Sequence, residues 1–171
     1  MNNIYLTGMM GSGKSVTGKR LAVLLKYRFV DLDQWIEEKN QCAIAEIFES
    51  KGEPFFRDEE TAALGEMCHT PSLVIATGGG IVLRPQNVRM MQESGKVVYL
   101  KTSLDVLWAR LRDKKDRPLL LTPDPRASLQ KIYEARKTLY EQSSVLHMDT
   151  DGKTAEDAAR EIFEVLTREN K

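Results

Sequence analysis

A glycine-rich stretch near the start of the chain has the residue types of a phosphate-binding loop. Residues 8–15 read Gly-Met-Met-Gly-Ser-Gly-Lys-Ser, which satisfies the pattern G-x-x-x-x-G-K-[ST]. In this pattern backbone N–H groups surround phosphate oxygens, the lysine reaches the β- and γ-phosphates, and the last hydroxyl serves Mg²⁺. The sequence therefore predicts a nucleoside triphosphate site. The residues expected to form it are Gly11, Ser12, Gly13, Lys14, Ser15 and Val16.

The alternative for residues 8–15 is a glycine-rich turn that merely starts a helix. With glycine at roughly 7% of residues, a chance match in a chain of this length is on the order of 1%. The stretch also follows a short apolar run and precedes a segment of helical pattern, as the motif requires. Both points favour the phosphate-binding loop.

An acidic pair follows the second apolar run of the chain, where the sequence reads Asp31-Leu32-Asp33. The alternation of a strand would aim both side chains to one side. The alternative is that they cap the next helix, because aspartate is a favoured cap. The third apolar run leads instead to Thr77 and three glycines, and the chain has no NKxD motif, so neither a motor ATPase nor a GTPase switch is favoured.

Two arginines, Arg57 and Arg136, lie at positions that suggest a specific partner for their charge. Arg57 comes three residues before Glu60, a spacing that also fits an ordinary surface ion pair. Arg136 interrupts an apolar helical stripe, so it must be paired or face a polar cleft. The stripe consists of Leu129, Ile132, Tyr133 and Tyr140. Glycines 78–80 would let the backbone approach a ligand, although a tight turn needs perhaps one glycine of the three.

A charged segment with three prolines, residues 110–126, predicts a mobile loop rather than a continuous helix. Its prolines are Pro118, Pro123 and Pro125. Arg117 lies in this loop. The alternative is a solvated basic face, with Arg110, Arg112, Lys114, Lys115 and Arg117 interleaved with Asp113 and Asp116.

The elements that must position these residues alternate between short apolar runs and longer segments of helical period. This alternation predicts βαβ units and a parallel sheet covered on both faces. The expected strands are Ile4 to Thr7, Arg28 to Asp31, Leu73 to Ala76, Val97 to Leu100 and Val145 to Met148. Ser103 and Thr154 precede two apolar helical stripes and are expected to cap those helices.

The composition limits the possible partners and location. The 171 residues carry 25 basic and 25 acidic side chains, so no nucleic-acid partner is expected. No apolar run approaches the ~18 residues of a membrane span, and no secretory signal pattern follows Met1. We expect a cytoplasmic monomer, a single domain over residues 1–171, with Cys42 and Cys68 as free thiols.

Four motifs together resemble the shikimate kinase family over nearly the whole chain. They are the Asp-x-Asp at 31–33, the Phe-Arg at 56–57, the Gly-Gly-Gly at 78–80 and the Arg-Pro-Leu-Leu at 117–120. The resemblance implies an α/β, three-layer P-loop kinase fold with a five-stranded parallel sheet in the order 2-3-1-4-5 and helices on both faces. It also implies a substrate-binding helical region at about 33–61 and a mobile lid at about 112–124.

The resemblance further implies roles for individual residues. Asp31 would support Mg²⁺ through a water, and Asp33 would meet the reacting hydroxyl. Arg57 and Arg136 would bind the substrate carboxylate together with Gly78, Gly79 and Gly80. Phe48 and Phe56 would form an aromatic wall, Arg117 would neutralise charge in the transition state together with Lys14, and Arg110 would stack on adenine.

The activity implied is transfer of the ATP γ-phosphoryl to the 3-hydroxyl of shikimate, with Mg²⁺ as cofactor. The alternatives are a related kinase for gluconate or a nucleoside monophosphate, or a nucleotide-dependent switch without an acceptor. The chain departs from the family at Met9-Met10 and at Val16, where threonine is usual. The backbone makes the phosphate cradle, so the methionine pair should matter little. His69 and His147 receive no role.

Overall fold

Five parallel strands form the centre of the molecule in a computed structural model that describes residues 2–114 and 117–168. The strands are β1 Asn3–Thr7, β2 Arg28–Asp31, β3 Leu73–Ala76, β4 Gly95–Lys101 and β5 Leu146–Asp149. Their order is β2-β3-β1-β4-β5, which confirms the expected topology. The three central strands β3, β1 and β4 are apolar and buried at their centres, whereas the edge strands β2 and β5 are partly exposed.

Seven α-helices in the described part of the chain connect or follow the strands. They are α1 Lys14–Leu25, α2 Leu32–Asn40, α3 Ile44–Cys68, α4 Pro85–Ser94, α5 Leu104–Leu111, α6 Pro125–Ser143 and α7 Ala155–Arg168. Short 3₁₀ turns occur at Ile81–Leu83 and Pro118–Leu120. As expected, Ser103 Oγ accepts the N–H of Val106, and Thr154 Oγ1 accepts that of Asp157, so both residues cap their helices.

Two apolar cores lie on opposite faces of the sheet and give the three expected layers. In β1 the alternation is direct, because Tyr5 belongs to one core whereas Ile4 and Leu6 belong to the other. The first core packs α3, α4 and α6 against the sheet, and the second packs α1 and α7. The helices on both faces bury the sheet that carries the site.

The strand ends differ slightly from the predicted ones. β5 runs from Leu146 to Asp149, one residue later than expected, and β4 extends beyond Val97–Leu100 at both ends. The strand-alternation argument for the acidic pair was wrong, since β2 ends at Asp31 and Asp33 lies in the first turn of α2. Helical geometry, not strand alternation, sets the direction of Asp33.

Helix α3 contains a break that the sequence analysis missed. Gly52 has φ 81 and ψ 168 inside the helical span, and Pro54 follows it. Glycine adopts this conformation readily, and proline is well tolerated in the first turn of the helical segment that restarts after it. The break redirects the second half of α3, which carries Arg57 and Glu60.

Other expectations about the chain have simple outcomes. Cys42 and Cys68 are both free thiols. Within residues 2–114 and 117–168, no helix has the length and apolar character needed to cross a bilayer. The expected lid at about 112–124 includes Lys115 and Asp116, which lie outside the described residues, as do Met1 and residues 169–171 of the expected domain.

A pair of glycine substitutions tests the strand pairing. A Cβ at Gly95 would lie 2.1 Å from the carbonyl oxygen of Asn3, the residue paired with it on β1. Since that oxygen belongs to the backbone, Gly95→Ala should lower the free energy of unfolding by about 1–3 kcal/mol. A Cβ at Gly65 in α3 would meet nothing within 4 Å. Since alanine favours a helix more than glycine does, Gly65→Ala should raise the free energy of unfolding by about 0.5–1 kcal/mol.

Urea unfolding followed by circular dichroism measures both changes. Equal effects from the two alanines would contradict the close approach of β1 and β4 at Gly95.

Candidate active site

The predicted site residues meet in one cleft at the carboxyl ends of β1, β2 and β3. The cleft has a volume of about 740 Å³. The predicted residues that line it are Gly11, Gly13, Lys14, Ser15, Val16, Asp31, Asp33, Arg57, Gly78, Gly79, Gly80, Arg110, Arg117 and Arg136. Ser12 lines an adjoining cavity. Crevices at this end of an open parallel sheet are the usual ligand sites of α/β proteins.

The phosphate-binding loop is wound tightly at the end of β1. Gly11 and Gly13 have φ values of 79 and 91, a region that other residues rarely adopt. Gly13 is the N-cap of α1 and offers no side-chain acceptor, so the first N–H groups of the helix remain available to an anion. The loop thus has the geometry of an anion cradle.

Lys14 is held inside this loop before any phosphate arrives. Its Nζ donates to the carbonyl oxygens of Gly8 and Met9, at 2.9 and 2.8 Å. Burial lowers the pKa of Lys14 to about 8, and the negative charge of Asp33 opposes that shift. A phosphate group would replace the neutral carbonyls with full negative charge and favour the ammonium form.

Ser15 and Asp31 bring two oxygen ligands together. Ser15 Oγ donates to Asp31 Oδ2 at 2.5 Å, and Asp31 Oδ1 accepts the N–H of Gln34 at 3.3 Å. Asp31 therefore does cap α2, as the alternative interpretation held, while its other oxygen faces Ser15. A hydroxyl beside a carboxylate suits Mg²⁺, which prefers oxygen ligands and keeps several waters.

Asp33 points a carboxylate oxygen into the cleft. Its Oδ1 is buried and accepts no hydrogen bond from any residue that the structure describes. Burial raises the pKa of Asp33, and the nearby charge of Asp31 raises it further. An unpartnered carboxylate oxygen of this kind is a strong acceptor for a hydroxyl group.

Arg57 lies at the bottom of the cleft and is 8% exposed. Its Nη1 donates to Glu60 Oε2 at 2.5 Å, and its Nε and Nη2 donate to Glu53 Oε1 at 3.1 and 2.8 Å. The alternative of an ordinary surface ion pair is therefore wrong, since Glu60 is fully buried. Burial raises the pKa of Glu60 to about 7 although Arg57 opposes the shift.

Glu60 also faces the glycine turn. A Cβ at Gly78 would lie 2.2 Å from Glu60 Oε1 and 2.8 Å from Asp33 Oδ1, so the two oxygens converge on this glycine. Neither oxygen accepts a hydrogen bond within the described part of the chain. The sequence suggested Glu60 only as an ion-pair partner, and its place in the cleft depends on the break at Gly52.

Arg84 connects the glycine turn to α3. Its Nη1 donates to the carbonyl oxygen of Arg57 at 3.0 Å and to Thr61 Oγ1 at 3.1 Å. Its Nη2 lies 2.8 Å from Asp58 Oδ1. These contacts fix the backbone that carries Arg57. The sequence analysis missed Arg84, because only the packed structure brings residues 57 and 84 together.

Arg136 enters the cleft from α6. It is 6% exposed, and its Nη1 donates to the carbonyl oxygen of Gly79 at 3.1 Å. A Cβ at Gly79 would lie 3.7 Å from Arg136 Nη1, and a Cβ at Gly80 would lie 2.2 Å from Arg57 Nη1. The two guanidinium groups therefore approach consecutive glycines of one turn.

A second cavity of about 300 Å³ adjoins the phosphate loop on the outer side. Arg110 lines both cavities and donates from Nη1 to the carbonyl oxygen of Gly11 at 2.9 Å. The loop between β5 and α7 forms the opposite wall with Thr150, Lys153 and Thr154. This wall was not found from the sequence, which offered no recognisable pattern there.

The remaining candidates have clear positions. Arg117 is half-buried in the cleft wall, and Leu120 fixes the following turn in the apolar core. Phe48 and Phe56 line the cleft with ring centroids 5.0 Å apart. His69 is exposed, and no contact among the described residues indicates a function for it. His147 packs edge-on against Tyr99.

These features define a class of protein. A P-loop at β1 of a 2-3-1-4-5 sheet and an acidic pair after β2 belong to a kinase that binds a nucleotide. Two buried arginines approach the glycine turn in the same cleft, where an anion would find two positive charges. The fold and site are therefore those of a small-molecule P-loop kinase.

Comparison with known proteins identifies the family. The family model for shikimate kinase matches residues 10–167. The chain is 42% identical to shikimate kinase of Thioalkalivibrio sulfidiphilus over 170 residues, which are 99% of this chain and 90% of that protein. The chain belongs to the shikimate kinase family, whose members are ATP-dependent kinases.

Solved structures agree with this assignment. Shikimate kinase from Acinetobacter baumannii in complex with shikimate superposes with a TM-score of 0.96 at 37% identity, covering 99% of this chain and 94% of that chain. A gluconokinase from Sinorhizobium meliloti has a TM-score of 0.65 at 18% identity, covering 98% of this chain and 92% of that chain. The second likeness concerns the fold alone.

The buried ammonium of Lys14 gives a pH-dependent prediction. Its pKa is about 8 in the folded protein and 10.5 when exposed, so the unfolded state binds more protons between these values. The stability of the wild type should therefore rise relative to that of Lys14→Met as the pH increases from about 8 to 10.5. The change should be on the order of 2 kcal/mol, since one pKa unit is about 1.4 kcal/mol.

Urea unfolding of both proteins without nucleotide, at several pH values, measures this difference. Titrating groups that do not interact with Lys14 are common to both proteins and cancel, whereas the pKa of Asp33, which the charge of Lys14 lowers, differs between them. A difference that stays constant from pH 7.5 to 10 would contradict the lowered pKa.

Proposed function

We propose that this protein transfers the γ-phosphoryl group of ATP to the 3-hydroxyl of shikimate, giving shikimate 3-phosphate and ADP. The observation that supports this best is the approach of Arg57 and Arg136 to consecutive glycines in the cleft that also contains Lys14. A planar guanidinium pairs well with a carboxylate, and two of them select an organic acid. Family membership supplies the identity of that acid.

The nucleotide is bound by the P-loop. Backbone N–H groups of residues 11–16 surround the phosphates, and Lys14 leaves the carbonyls of Gly8 and Met9 for phosphate oxygens. Ser15 would hold Mg²⁺ directly and Asp31 through a water, and the ion would neutralise charge on the β- and γ-phosphates. The base occupies the outer cavity, where Arg110 stacks on it.

The acceptor occupies the inner part of the cleft. Its carboxylate is bound by Arg57, Arg136 and the N–H groups of the turn at 78–80. Its hydroxyls donate to the unpartnered oxygens of Asp33 and Glu60. Phe48 and Phe56 pack against the apolar face of the ring.

Catalysis consists mainly of positioning and charge stabilisation. Asp33 accepts the hydrogen bond of the reacting hydroxyl and holds its oxygen in line with the γ-phosphorus. The raised pKa of Asp33 brings this carboxylate closer to the basicity needed to take the proton. Lys14 and Arg117 neutralise the charge that spreads over the transferred group.

We further propose that the protein acts as a cytoplasmic monomer without a nucleic-acid partner. The 25 basic and 25 acidic side chains balance, so the chain as a whole has no net charge to attract nucleic acid. Analytical ultracentrifugation at working concentration would test the monomer.

A substrate panel tests the proposed reaction. Purified protein with ATP and Mg²⁺ should release ADP rapidly with shikimate and at the background rate with gluconate or nucleoside monophosphates. The phosphorylated product should be identified by mass spectrometry. Turnover of gluconate or a nucleotide but not of shikimate would contradict the proposal, and slow ATP hydrolysis unaffected by every acceptor would indicate a switch.

Asp33→Asn separates catalysis from nucleotide binding. The amide keeps the shape of the side chain but cannot take a proton, so kcat should fall roughly 10²–10⁴-fold. ADP affinity, measured by calorimetry, should remain close to that of the wild type, whereas Lys14→Ala should lose it. A loss of ADP affinity in Asp33→Asn as large as that in Lys14→Ala would contradict the role given to Asp33.

A further inference from the structure

The carbonyl oxygen of Gly79 accepts hydrogen bonds from two side chains of α6. One donor is Arg136 Nη1 at 3.1 Å, and the other is the hydroxyl of Tyr140, which forms a short hydrogen bond. These residues are one helical turn apart and therefore share a face of α6. Of the two, only Arg136 has a task in the proposed reaction, so the hydroxyl of Tyr140 requires a separate explanation.

Tyr140 is a rigid and permanent donor. Its side chain is fully buried, and its ring stacks on that of Tyr99 with centroids 5.1 Å apart and planes inclined by 19°. Burial raises the pKa of Tyr140 to about 12, so the hydroxyl keeps its proton over the working range of pH. The hydroxyl also contacts Met9 Sδ of the phosphate loop at 3.8 Å.

Once an acid is bound, Arg136 can donate hydrogen bonds to two acceptors, the Gly79 carbonyl and the carboxylate of the acid. Without a ligand it satisfies the Gly79 carbonyl, but a substrate carboxylate is a stronger acceptor for a guanidinium than a neutral carbonyl is. If Arg136 turns to the carboxylate, the half-buried turn at Gly79 still needs a donor. Tyr140 is the side chain already in place to supply it.

We propose that Tyr140 is a positioning residue that holds the glycine turn by the Gly79 carbonyl and thereby leaves Arg136 free to bind the acceptor's carboxylate. This inference rests on the proposed function, because it concerns the same acceptor site. Without the hydroxyl, the Gly79 carbonyl would compete with the substrate for Arg136, and the neighbouring N–H groups would lose their fixed direction. The effect should therefore fall on the acceptor and spare the nucleotide.

Tyr140→Phe removes this hydrogen bond and keeps the stacked ring. The KM for shikimate should rise about tenfold, which corresponds to about 1.4 kcal/mol, while the KM for ATP and the kcat at saturating shikimate stay within about twofold of the wild type. Calorimetry without nucleotide should show a matching loss of shikimate affinity.

Tyr99→Phe is the matched control. Tyr99 is equally buried and stacks on the same ring, but its hydroxyl has no hydrogen-bond partner among the residues described. This variant should keep both KM values. Thermal unfolding of both variants reports any general loosening of the fold, which would change kcat and the KM for ATP as well.

The outcomes separate the two proposals. A wild-type protein that does not phosphorylate shikimate overturns the proposed function, and the role of Tyr140 falls with it. If the wild type is active, an unchanged KM for shikimate in Tyr140→Phe overturns only the role of Tyr140. The same holds if the KM for ATP rises as much as that for shikimate, because the hydroxyl would then serve the fold as a whole.

Discussion

A buried cation needs a buried anion, and this requirement organises the cleft around Arg57. The guanidinium is 8% exposed and Glu60 is fully buried, so either charge alone would be strongly destabilising. Because Arg57 donates to Oε2 of Glu60, Oε1 remains for another donor, and neither this oxygen nor Asp33 Oδ1 accepts a hydrogen bond from the residues that the structure describes. The ion pair thus fixes the Arg57 guanidinium in the cleft beside two carboxylate oxygens. A guanidinium and carboxylate oxygens complement the carboxylate and hydroxyls of the proposed acceptor.

The glycine turn follows from the same packing. The sequence analysis explained residues 78–80 by the approach of a ligand, and the structure adds a second reason. A Cβ at Gly78 would collide with Glu60 and Asp33, and one at Gly80 would collide with Arg57. Gly79 has more room, with its nearest neighbour 3.4 Å away, and is held instead through its carbonyl oxygen. Side chains of the site therefore occupy the space that other residues would need at two of the three positions.

Features that depend on residues close together in the sequence could be predicted, whereas features that depend on tertiary packing could not. The P-loop and the strands depend on neighbouring residues, so their types and spacing revealed them. Arg136 could be suspected because a charge interrupted an apolar stripe. In contrast, the break at Gly52 looks like an ordinary glycine within a helical pattern, and the contact between Arg84 and α3 joins residues 27 positions apart. The roles of the site residues came from the family resemblance and remain predictions.

The relative position of the phosphate loop and the glycine turn is set by hydrogen bonds at the ends of β1 and β3. Thr77 donates to the carbonyl oxygen of Leu6 from both its N–H, at 3.1 Å, and its Oγ1, at 2.9 Å. Two residues after Leu6 the chain enters the phosphate loop at Gly8, and one residue after Thr77 it enters the glycine turn. The two loops then touch, since a Cβ at Gly79 would lie 3.4 Å from the N–H nitrogen of Met10. Phosphoryl transfer depends on alignment of the attacking oxygen with the phosphorus, and small displacements are costly. A register fixed by strand ends holds the two loops together more rigidly than long side chains alone could, and in the proposed reaction this leaves the arginines to select the acceptor.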